Sequence, residues 1–209
     1  MDSLSTNDIE KNKEVYDYMA YLENPNFWFG THKEDNYTRL IQIADFAKTS
    51  FAGTKCLDVG CGTGDFSKFL REKGISDYLG VDIYEPSLDL ARRKYPDEMF
   101  MILDILKLAT NEKFDFVFCS GGLSTALESD NYDFIESMIR KMWELADVGV
   151  AFNFLTEEIP RTDKLVFHYS ADKVVSKCKN IIQSDGRMFY RIVDGEAHVY
   201  LSKNARTKA

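Results

Sequence analysis

The stretch that decides the fold is Leu57-Asp58-Val59-Gly60-Cys61-Gly62-Thr63-Gly64-Asp65-Phe66. An apolar run over 55–59 stops at three glycines spaced two apart, and an amphipathic stretch over 66–73 follows at once. This order predicts a strand, a tight turn and a helix. Glycine is needed where the backbone takes positive φ or closely approaches a ligand, and the start of a helix offers free N–H groups and the positive end of its dipole. The stretch therefore predicts a ligand site at the turn.

The spacing of the glycines distinguishes two kinds of nucleotide site. A dinucleotide-binding turn follows the pattern G-x-G-x-x-G, which here would require its third glycine at position 65. Position 65 is Asp, and the third glycine comes one residue earlier, at Gly64. The form Gly60-x-Gly62-x-Gly64, entered through 57–59, resembles the first motif of class I S-adenosylmethionine-dependent methyltransferases. That resemblance implies S-adenosyl-L-methionine as the cofactor and methyl transfer as the function.

A second stretch carries a related resemblance. The residues Val-Gly-Val-Ala-Phe-Asn-Phe-Leu-Thr over 148–156 resemble a poorly characterised bacterial branch of these enzymes, and the likeness extends over roughly residues 14–201. It implies use of the cofactor and is uninformative about the substrate. Members of that branch tend to carry a His-Asp-Tyr-like cluster in the sixth strand. This chain has Tyr190-Arg191-Ile192 near there, which puts a catalytic role for that strand in doubt.

Composition favours a cytoplasmic globular chain with no nucleic-acid or membrane partner. The 209 residues carry a net charge of −8, whereas a duplex nucleic-acid binder usually shows a basic stripe, so no nucleic-acid partner is expected. No run approaches the ~20 apolar residues that span a bilayer, and residues 1–10 lack the apolar core of a signal peptide, so no membrane association is expected. The four cysteines form no C-x-x-C pair, which predicts reduced, largely buried thiols and no metal site.

Strand and helix patterns alternate after residue 50, which predicts parallel strands joined by right-handed crossovers. A terminal hairpin around Asp194-Gly195 is the usual ending of the class I methyltransferase fold. We therefore predict an α/β, Rossmann-like class I methyltransferase fold, with a seven-stranded, mostly parallel sheet, helices on both faces and a C-terminal antiparallel hairpin. Residues 1–50 are predicted to form an N-terminal helical lid or appendage, and residues 51–209 the S-adenosylmethionine-binding domain. The predicted strands are 55–59, 77–82, 98–103, 114–119, 148–154, 187–192 and 197–201, and the predicted helices are 7–22, 37–48, 66–73, about 86–95, 131–145 and 171–178.

Two aspartates end predicted strands, beyond which an open α/β sheet binds its ligand. Asp82 ends the second strand, and its two oxygens can accept hydrogen bonds from the vicinal hydroxyls of a ribose; a helix-capping role is the alternative. Asp104 follows the third strand, where the resembled family holds an acid that accepts from the adenine amino group. Ile83 and Ile105 would then provide the two apolar faces for the ring. The alternative for Asp104 is an ordinary aspartate at a strand end.

The remaining predicted contacts follow from the same resemblance. The family often has an acid before the first glycine, near the methionine end of the cofactor, and this place is taken by Asp58. Ser120 and Gly121, after the fourth strand, are predicted to offer backbone atoms to the cofactor's amino group. Trp28 is a candidate to cover the cofactor and face its sulfonium through a π cloud, with packing of the appendage as the alternative. Asp65 is expected only to favour the start of the helix. The predicted cofactor contacts are Trp28, Asp58, Gly60, Gly62, Gly64, Asp82, Ile83, Asp104, Ile105, Ser120 and Gly121.

The loop after the fourth strand narrows the class of acceptor. Its sequence over 119–123, Cys-Ser-Gly-Gly-Leu, lacks the Asp/Asn-Pro-Pro motif with which adenine-N6 and glutamine-N5 methyltransferases clamp a planar amine or amide. No proline precedes a cysteine, as cytosine-C5 enzymes require, and the paired glutamates of arginine methyltransferases are absent from this loop. These departures favour a small-molecule acceptor.

A general base is needed only if the acceptor is protonated at neutral pH. His168 is a weak candidate, and a structural or solvent-facing histidine is the commoner alternative; His32 and His198 are weaker still. We predict methyl transfer to an oxygen or nitrogen atom of a small-molecule acceptor by a monomer or homodimer. The alternatives are a non-catalytic S-adenosylmethionine-binding module and a transferase of the aminopropyl type, for which this loop lacks the acid that activates an amine.

Overall fold

The computed structural model describes residues 50–159 and 164–204, together with residues 37–42 and the single positions 7, 8, 10 and 13. Most of the predicted N-terminal lid therefore lies outside the described residues, and Trp28 and His32 lie outside them too. The division of the chain into a lid over 1–50 and a domain over 51–209 stays a prediction.

Seven strands and four complete helices, with a further helical segment over 37–42, build most of the described part of the chain. The strands share one sheet, and β7 runs antiparallel to both β5 and β6 while β1 to β5 are parallel. The order across the sheet is β3-β2-β1-β4-β5-β7-β6, which confirms the predicted mostly parallel sheet with its C-terminal hairpin. The strands are β1 (Lys55–Val59), β2 (Asp77–Asp82), β3 (Met99–Ile102), β4 (Phe114–Cys119), β5 (Ala146–Leu155), β6 (Gly186–Val193) and β7 (Glu196–Lys203), and the helices are α1 (Phe66–Glu72), α2 (Glu85–Lys94), α3 (Asn131–Leu145) and α4 (Ala171–Ile182).

Each face of the sheet carries its own apolar core. The first core is formed with α3 and α4 and includes the fully buried Ile135 and Ile139. The second core is formed with α1, α2 and residues 37–42 and includes Phe66 and Leu88. Burial of each such side chain contributes roughly 1.5–3 kcal/mol. Helices thus cover both faces, as the sequence predicted.

The bounds of β1, β2, β4 and α3 match the prediction to the residue. At the start of α3, the side chain of Asp130 accepts hydrogen bonds from the N–H groups of Tyr132 and Asp133 at 2.7 and 3.2 Å, which fixes the first turn. Four predicted elements were too short, namely α4, β5, β6 (predicted 187–192) and β7 (predicted 197–201). The helix α4 continues past Cys178 because Ile182, one turn further on, extends its buried stripe, and β5 is longer because it pairs on both sides, with β4 and with β7.

The strand order reverses between β1 and β4, and this places the candidate site. The strands β1, β2 and β3 proceed to one side, and β4 and β5 to the other. Ligands of such sheets bind beyond the carboxyl ends of the strands at this switch point. The glycine turn after β1, the end of β2 and the loop after β4 all emerge there.

All four cysteines lie within the described residues, are buried as predicted and carry free thiols. No helix in the described ranges is long and apolar enough to cross a bilayer. In the same ranges, no group of three or more potential ligand side chains is placed to hold a metal ion.

Candidate functional site

The glycine turn joins β1 to α1 and is held against β2. The N–H groups of Gly60 and Cys61 both donate to the carbonyl oxygen of Val81, at 2.8 and 3.1 Å. Gly64 has a φ of +77°, and a Cβ at this position would lie 2.6 Å from Cζ of Phe100. Both the backbone conformation and the available space therefore require glycine there. The neighbouring strands thus hold the turn in one conformation.

The Asp82 carboxylate ties this turn to the end of β2. It is only 3% exposed. Its Oδ2 accepts a hydrogen bond from the N–H of Gly62 at 2.8 Å, and its Oδ1 accepts one from the N–H of Tyr84 at 3.0 Å. Burial raises the pKa of Asp82, and the backbone hydrogen bonds oppose that rise. A carboxylate oxygen has two lone-pair sites, so both oxygens retain capacity for a donor from a ligand.

Asp104, just past β3, has one oxygen bonded and one not. Its Oδ1 accepts a hydrogen bond from the N–H of Leu106 at 3.0 Å and so begins the 3₁₀ turn Ile105–Lys107. Within the part of the chain that the structure describes, Oδ2 is buried without a hydrogen-bond partner, and Nζ of Lys107 lies 3.5 Å away. Lys107 forms an ion pair with this oxygen, but its side chain is 53% exposed, so the pair contributes little. A ligand that donates a hydrogen bond here would therefore be stabilising.

A cleft that is open to solvent at its mouth lies between these two aspartates and the loop after β4. Five of the predicted residues line it, namely Gly60, Asp82, Ile83, Asp104 and Ile105. The remaining lining residues were not predicted from the sequence. Those on α3 have the helical spacing of ordinary core residues, so their spacing does not distinguish them. The lining residues that were not predicted are Val59, Leu103, Cys119, Gly122, Thr125, Phe134 and Met138.

Five predicted contacts within the described residues do not line this cleft, namely Asp58, Gly62, Gly64, Ser120 and Gly121. Gly62 and Gly64 shape the turn beside it. Asp58 projects to the opposite face of the sheet and is 1% exposed, and its Oδ2 accepts a hydrogen bond from the hydroxyl of Tyr78 at 2.7 Å. Burial, together with the charge of Asp58, raises the pKa of that hydroxyl. The observed contact supports the turn from the second core, and the predicted contact of Asp58 with a cofactor stays a prediction.

Asp65 links the glycine turn to α2. Its carboxylate accepts hydrogen bonds from the hydroxyls of Thr63 and Tyr95, both at 2.8 Å, and forms an ion pair with Lys94. Within the described residues it makes no capping hydrogen bond to α1. The expectation of a role limited to the start of that helix was therefore too narrow. A carboxylate with its own structural task stands where a dinucleotide turn has its third glycine.

The loop after β4 is anchored from β5. Gly121 has a φ of +78° and donates its N–H to Oδ1 of Asn153 at 2.8 Å. Nδ2 of Asn153 donates in turn to Oε1 of Glu196 on β7 at 2.5 Å. Ser120 is buried and Gly121 is exposed. Their predicted contact with the amino group of a cofactor stays a prediction.

His168 is built into the packing of the segment after β5. It is 4% exposed, and its Nδ1 lies 3.1 Å from the carbonyl oxygen of Thr156, which assigns the proton to Nδ1. The neighbouring Tyr169 donates its hydroxyl to the carbonyl oxygen of Leu123 at 2.8 Å, so the segment is attached to the loop after β4. The weak assignment of His168 as a base stays a prediction.

Residues 56–144 match the family described as methyltransferase domain. A probable cobalt-precorrin-6B C(15)-methyltransferase (decarboxylating) from Thermoplasma acidophilum is 30% identical over 111 residues, which are 48% of this chain and 52% of that protein. The ubiquinone biosynthesis O-methyltransferase of Photobacterium profundum is 24% identical over 166 residues, which are 79% of this chain and 54% of that protein. The chain thus spans about half the length of these curated relatives.

Solved structures resemble this chain over nearly its whole length. The magnesium protoporphyrin IX methyltransferase of Synechocystis PCC 6803 with bound SAM has a TM-score of 0.69 at 16% identity, covering 96% of this chain and 99% of that one. The complex of DhpI with SAH has a TM-score of 0.72 at 15% identity, covering 97% of this chain and all of the other. At these identities the likeness concerns the fold, and it confirms the predicted Rossmann-like class I methyltransferase fold.

Proposed function

We propose that this protein, a class I S-adenosylmethionine-dependent methyltransferase in family and fold, transfers a methyl group from S-adenosyl-L-methionine to an oxygen or nitrogen atom of a small-molecule acceptor. The observation that carries the proposal is the cleft in which Asp82 and Asp104 converge beside the glycine turn. The family match over 56–144 includes the elements that line this cleft. Structural relatives that hold SAM or SAH share the fold, which supports the choice of cofactor.

The cleft fits the nucleoside part of that cofactor. Asp82, fixed by two backbone N–H groups, would accept hydrogen bonds from the ribose hydroxyls. The buried Oδ2 of Asp104, which has no hydrogen-bond partner among the described residues, would accept one from the adenine amino group. Ile83 and Ile105 line the same cleft and would pack on the two faces of the ring. These two hydrogen-bond acceptors and two apolar side chains suit an adenosine.

Two glycines keep the cleft open toward the loop after β4. A Cβ at Gly60 would lie 3.5 Å from Cα of Gly122, so side chains at these positions would fill the gap between the turn and the loop. Without them the backbone of both segments is available to a ligand. Ser120 and Gly121 would hold the amino-acid end of the cofactor through backbone atoms.

S-adenosyl-L-methionine, when bound, supplies a methyl group that is already activated on a sulfonium. The contribution of the chain is then to position the acceptor, and correct orientation alone can provide an effective molarity on the order of 10⁵ M or more. A base is needed only if the acceptor is protonated at neutral pH. The four buried free thiols favour a reducing compartment, so the proposal places this enzyme in the cytoplasm, as a monomer or homodimer.

The proposal includes a cover over the site formed by residues 1–50. Two described contacts attach this region close to the cleft. Oδ1 of Asp8 accepts hydrogen bonds from the N–H groups of Glu128 and Ser129 at 3.0 and 3.2 Å, just before α3. The ring of Tyr37 stacks on that of Phe66 at 4.5 Å, immediately after the glycine turn. A cover anchored at these places would exclude water from the reacting groups.

Calorimetric titration with S-adenosylmethionine, S-adenosylhomocysteine and NAD tests the cofactor assignment. We expect binding of the first two and none of NAD. Asp82→Asn keeps the size of the side chain and removes its charge, so it should weaken S-adenosylhomocysteine binding by about 10- to 100-fold. Asp89→Asn is the matched control, because Asp89 pairs with Arg92 on the exposed surface of α2, and it should change the affinity by less than about twofold.

Either of two outcomes would contradict the cofactor assignment: tight binding of NAD instead of S-adenosylmethionine, or equal affinities in the two variants. If the assignment holds, methyl transfer from labelled S-adenosylmethionine to metabolite extracts tests the reaction itself. Transfer to a compound of low molecular mass is expected. Labelling confined to protein or nucleic acid would contradict the proposed acceptor class.

A further inference from the structure

Three polar side chains form a row across the antiparallel end of the sheet. His198 on β7 lies opposite Asn153 on β5 and opposite Arg191 on β6 in the strand register. Residues directly opposite each other share a face of the sheet. Ala151 and Tyr200, two residues away on their strands, belong to the second core, so the three side chains lie on that face. We call Asn153, His198 and Arg191 the polar row.

The polar row contains buried groups without hydrogen bonds. His198 and Asn153 are 0% exposed. Among the residues that the structure describes, neither ring nitrogen of His198 has a hydrogen-bond partner, and Nε of Arg191 is likewise buried without one. Each such group costs roughly 1–3 kcal/mol, and native proteins leave few of them. A purely apolar row would avoid this cost, so the arrangement indicates a ligand that completes it.

The charges around His198 favour a negatively charged ligand. Burial, with the positive charges of Arg39 and Arg191, lowers the pKa of His198 to about 4, and the nearby backbone of Glu196 opposes that fall. The ring is therefore neutral at pH 7 and carries one N–H. Oε2 of Glu196, the carboxylate that faces the ring, lies 3.8 Å from Nε2. The other oxygen of Glu196 is bound by Asn153, which holds this side chain toward β5. An anion on the side of the ring that faces β6 would contact Arg191 and a ring N–H rather than Glu196.

Residues 37–42 close the polar row toward solvent. Nη2 of Arg191 donates to the carbonyl oxygen of Arg39 at 3.4 Å and to Oε1 of Gln42 at 3.1 Å. The guanidinium of Arg39 pairs with Asp194 at 2.8 Å, and the side chain of Asp194 is 74% exposed. Electrostatic interactions beneath this cover are strengthened because water is excluded.

The polar row is connected to the candidate cofactor cleft through one side chain. Asn153 accepts the N–H of Gly121, and the next residue, Gly122, lines the cleft. A molecule that reaches from the polar row past Gly121 would therefore arrive at the edge of the cleft. This is the position that a methyl acceptor has to occupy.

We propose that the polar row binds an anionic oxygen group, of the carboxylate or phosphate type, on the methyl acceptor. This inference rests on the proposed methyltransferase function and names one chemical feature of the acceptor. Nε–H of Arg191 and the ring N–H of His198 donate to the anion. Asn153 binds the other oxygen of Glu196 and keeps Gly121 in place. Such charge-assisted hydrogen bonds are the strong ones, and they satisfy the buried donors.

Histidine side-chain NMR reports on the polar row directly, because the chain has three histidines, His32, His168 and His198. Full-length protein labelled with ¹⁵N-histidine is saturated with S-adenosylhomocysteine at pH 7 and titrated with benzoate, with methylphosphonate and with the neutral benzamide. The signals of His198 are assigned by their loss in His198→Gln. We expect a saturable shift of these signals with at least one acid, and a response to benzamide at least about tenfold weaker.

Two arginine variants on the same strand sharpen the experiment. Arg191→Gln should weaken the response to the acid by at least about tenfold. Arg187→Gln removes the same charge at an exposed position of β6 and should change it by less than about twofold. Equal losses in the two variants would overturn the proposal.

The wild-type protein decides the question without any variant. Equal responses to benzoate and benzamide, or no saturable shift with either acid, would overturn the proposed anion site even if Arg191→Gln did not fold. The affinity for S-adenosylhomocysteine is measured in the same samples. Failure to bind S-adenosylhomocysteine would contradict the proposed function. The comparison of acid and amide can be repeated without S-adenosylhomocysteine, and it would still test the anion site in the polar row.

Discussion

The glycine-turn cleft and the polar row lie at the same edge of one sheet, and they differ in how their buried polar groups are satisfied. In the cleft, Asp82 is bonded to the N–H groups of Gly62 and Tyr84, so the backbone of the turn and the carboxylate fix each other. In the polar row, among the described residues, His198 has no hydrogen-bond partner and Arg191 keeps a buried N–H without one. The backbone therefore satisfies the Asp82 carboxylate, whereas the polar row has buried groups that need a further hydrogen-bond partner.

This difference determines where the effect of a substitution falls. Where a polar group is bonded to the scaffold, removing its partner leaves a buried group unsatisfied and costs the fold roughly 1–3 kcal/mol. Where a polar group has no partner, replacing it relieves a cost, and the loss falls on the ligand instead. Substitution of a group bonded to the scaffold, such as Asp82 in the cleft or Asn153 in the polar row, should therefore weaken both folding and binding, whereas substitution of His198 should mainly weaken binding.

The largest effect is expected at Gly64, where the scaffold of the cleft is tightest. Gly64→Ala places a Cβ 2.6 Å from the ring of Phe100 at a φ of +77°, and backbone strain plus overpacking should lower the free energy of unfolding by about 4 kcal/mol. Gly53→Ala is the matched control, because Gly53 has a φ of +74° but nothing within 4 Å of its would-be Cβ. It should cost about 1 kcal/mol in urea unfolding. Similar losses in both would mean that Phe100 moves aside and that the turn is not held as tightly as the comparison requires.

The next effect is a pH dependence that belongs to the polar row. The folded-state pKa of His198 is lowered to about 4 from an ordinary value of 6.5, so between these values the unfolded chain binds more protons than the folded one. Stability contributed by the neutral ring is therefore complete above about pH 6.5 and is lost as the pH falls toward 4. The loss amounts to about 3 kcal/mol.

Comparison of the wild type with His198→Gln isolates the contribution of this histidine to the pH dependence of stability. The decrease in the free energy of unfolding between pH 7.5 and pH 4 should be about 3 kcal/mol smaller in His198→Gln than in the wild type, because the other titrating groups are common to both. The charged groups that face the ring on described elements, Arg39, Arg191 and Glu196, are unchanged. Equal pH dependence would show that the folded protein protonates the ring freely, and the contrast between the two regions would then disappear.

The cleft could be predicted from the sequence because its residues stand next to local signals. The glycine motif, Asp82-Ile83 and Asp104-Ile105 each follow a strand with a recognisable apolar run, and all three signals contribute residues to one cleft in the structure. The direction of Asp58 could not be read in this way. Whether a strand-end acid faces the ligand or the opposite core depends on the alternation of side chains within the folded sheet.

The polar row was missed because it depends on strand register. His198 alternates with Glu196 along one strand, which indicates a shared face, but only the pairing of β7 with β5 and β6 brings Asn153 and Arg191 beside it. The hairpin around Asp194-Gly195 sets the pairing of Arg191 with His198, but β5 and β7 are separated by α4 and β6, and sequence spacing does not determine their register.

A moderate effect is expected beneath the glycine turn. Tyr78→Phe removes the hydrogen bond that the buried Asp58 accepts at 2.7 Å and should lower the free energy of unfolding by roughly 1.5 kcal/mol. Tyr190→Phe removes a hydroxyl from a side chain that is 47% exposed and should change it by less than about 0.5 kcal/mol. Urea unfolding of the two variants checks this. A negligible effect at Tyr78 would show that the hydrogen bond to the Asp58 carboxylate contributes no more to the free energy of unfolding than an exposed hydroxyl does.

The smallest effect is expected at Oδ2 of Asp104, which among the described residues has no hydrogen bond and pairs only with Lys107. Asp104→Asn should leave the free energy of unfolding almost unchanged, because Oδ1 can still accept the N–H of Leu106. In this respect Asp104 resembles the unbonded groups of the polar row. The loss should appear in recognition of adenine. Wild type should bind S-adenosylhomocysteine about tenfold more tightly than S-inosylhomocysteine, in which a carbonyl replaces the amino group, and Asp104→Asn should narrow this preference because its amide donates to a carbonyl. Calorimetry with both ligands decides it, with Asp89→Asn as the control. An unchanged preference in Asp104→Asn would remove Asp104 from the adenine contact while leaving Asp82 and the ribose assignment intact.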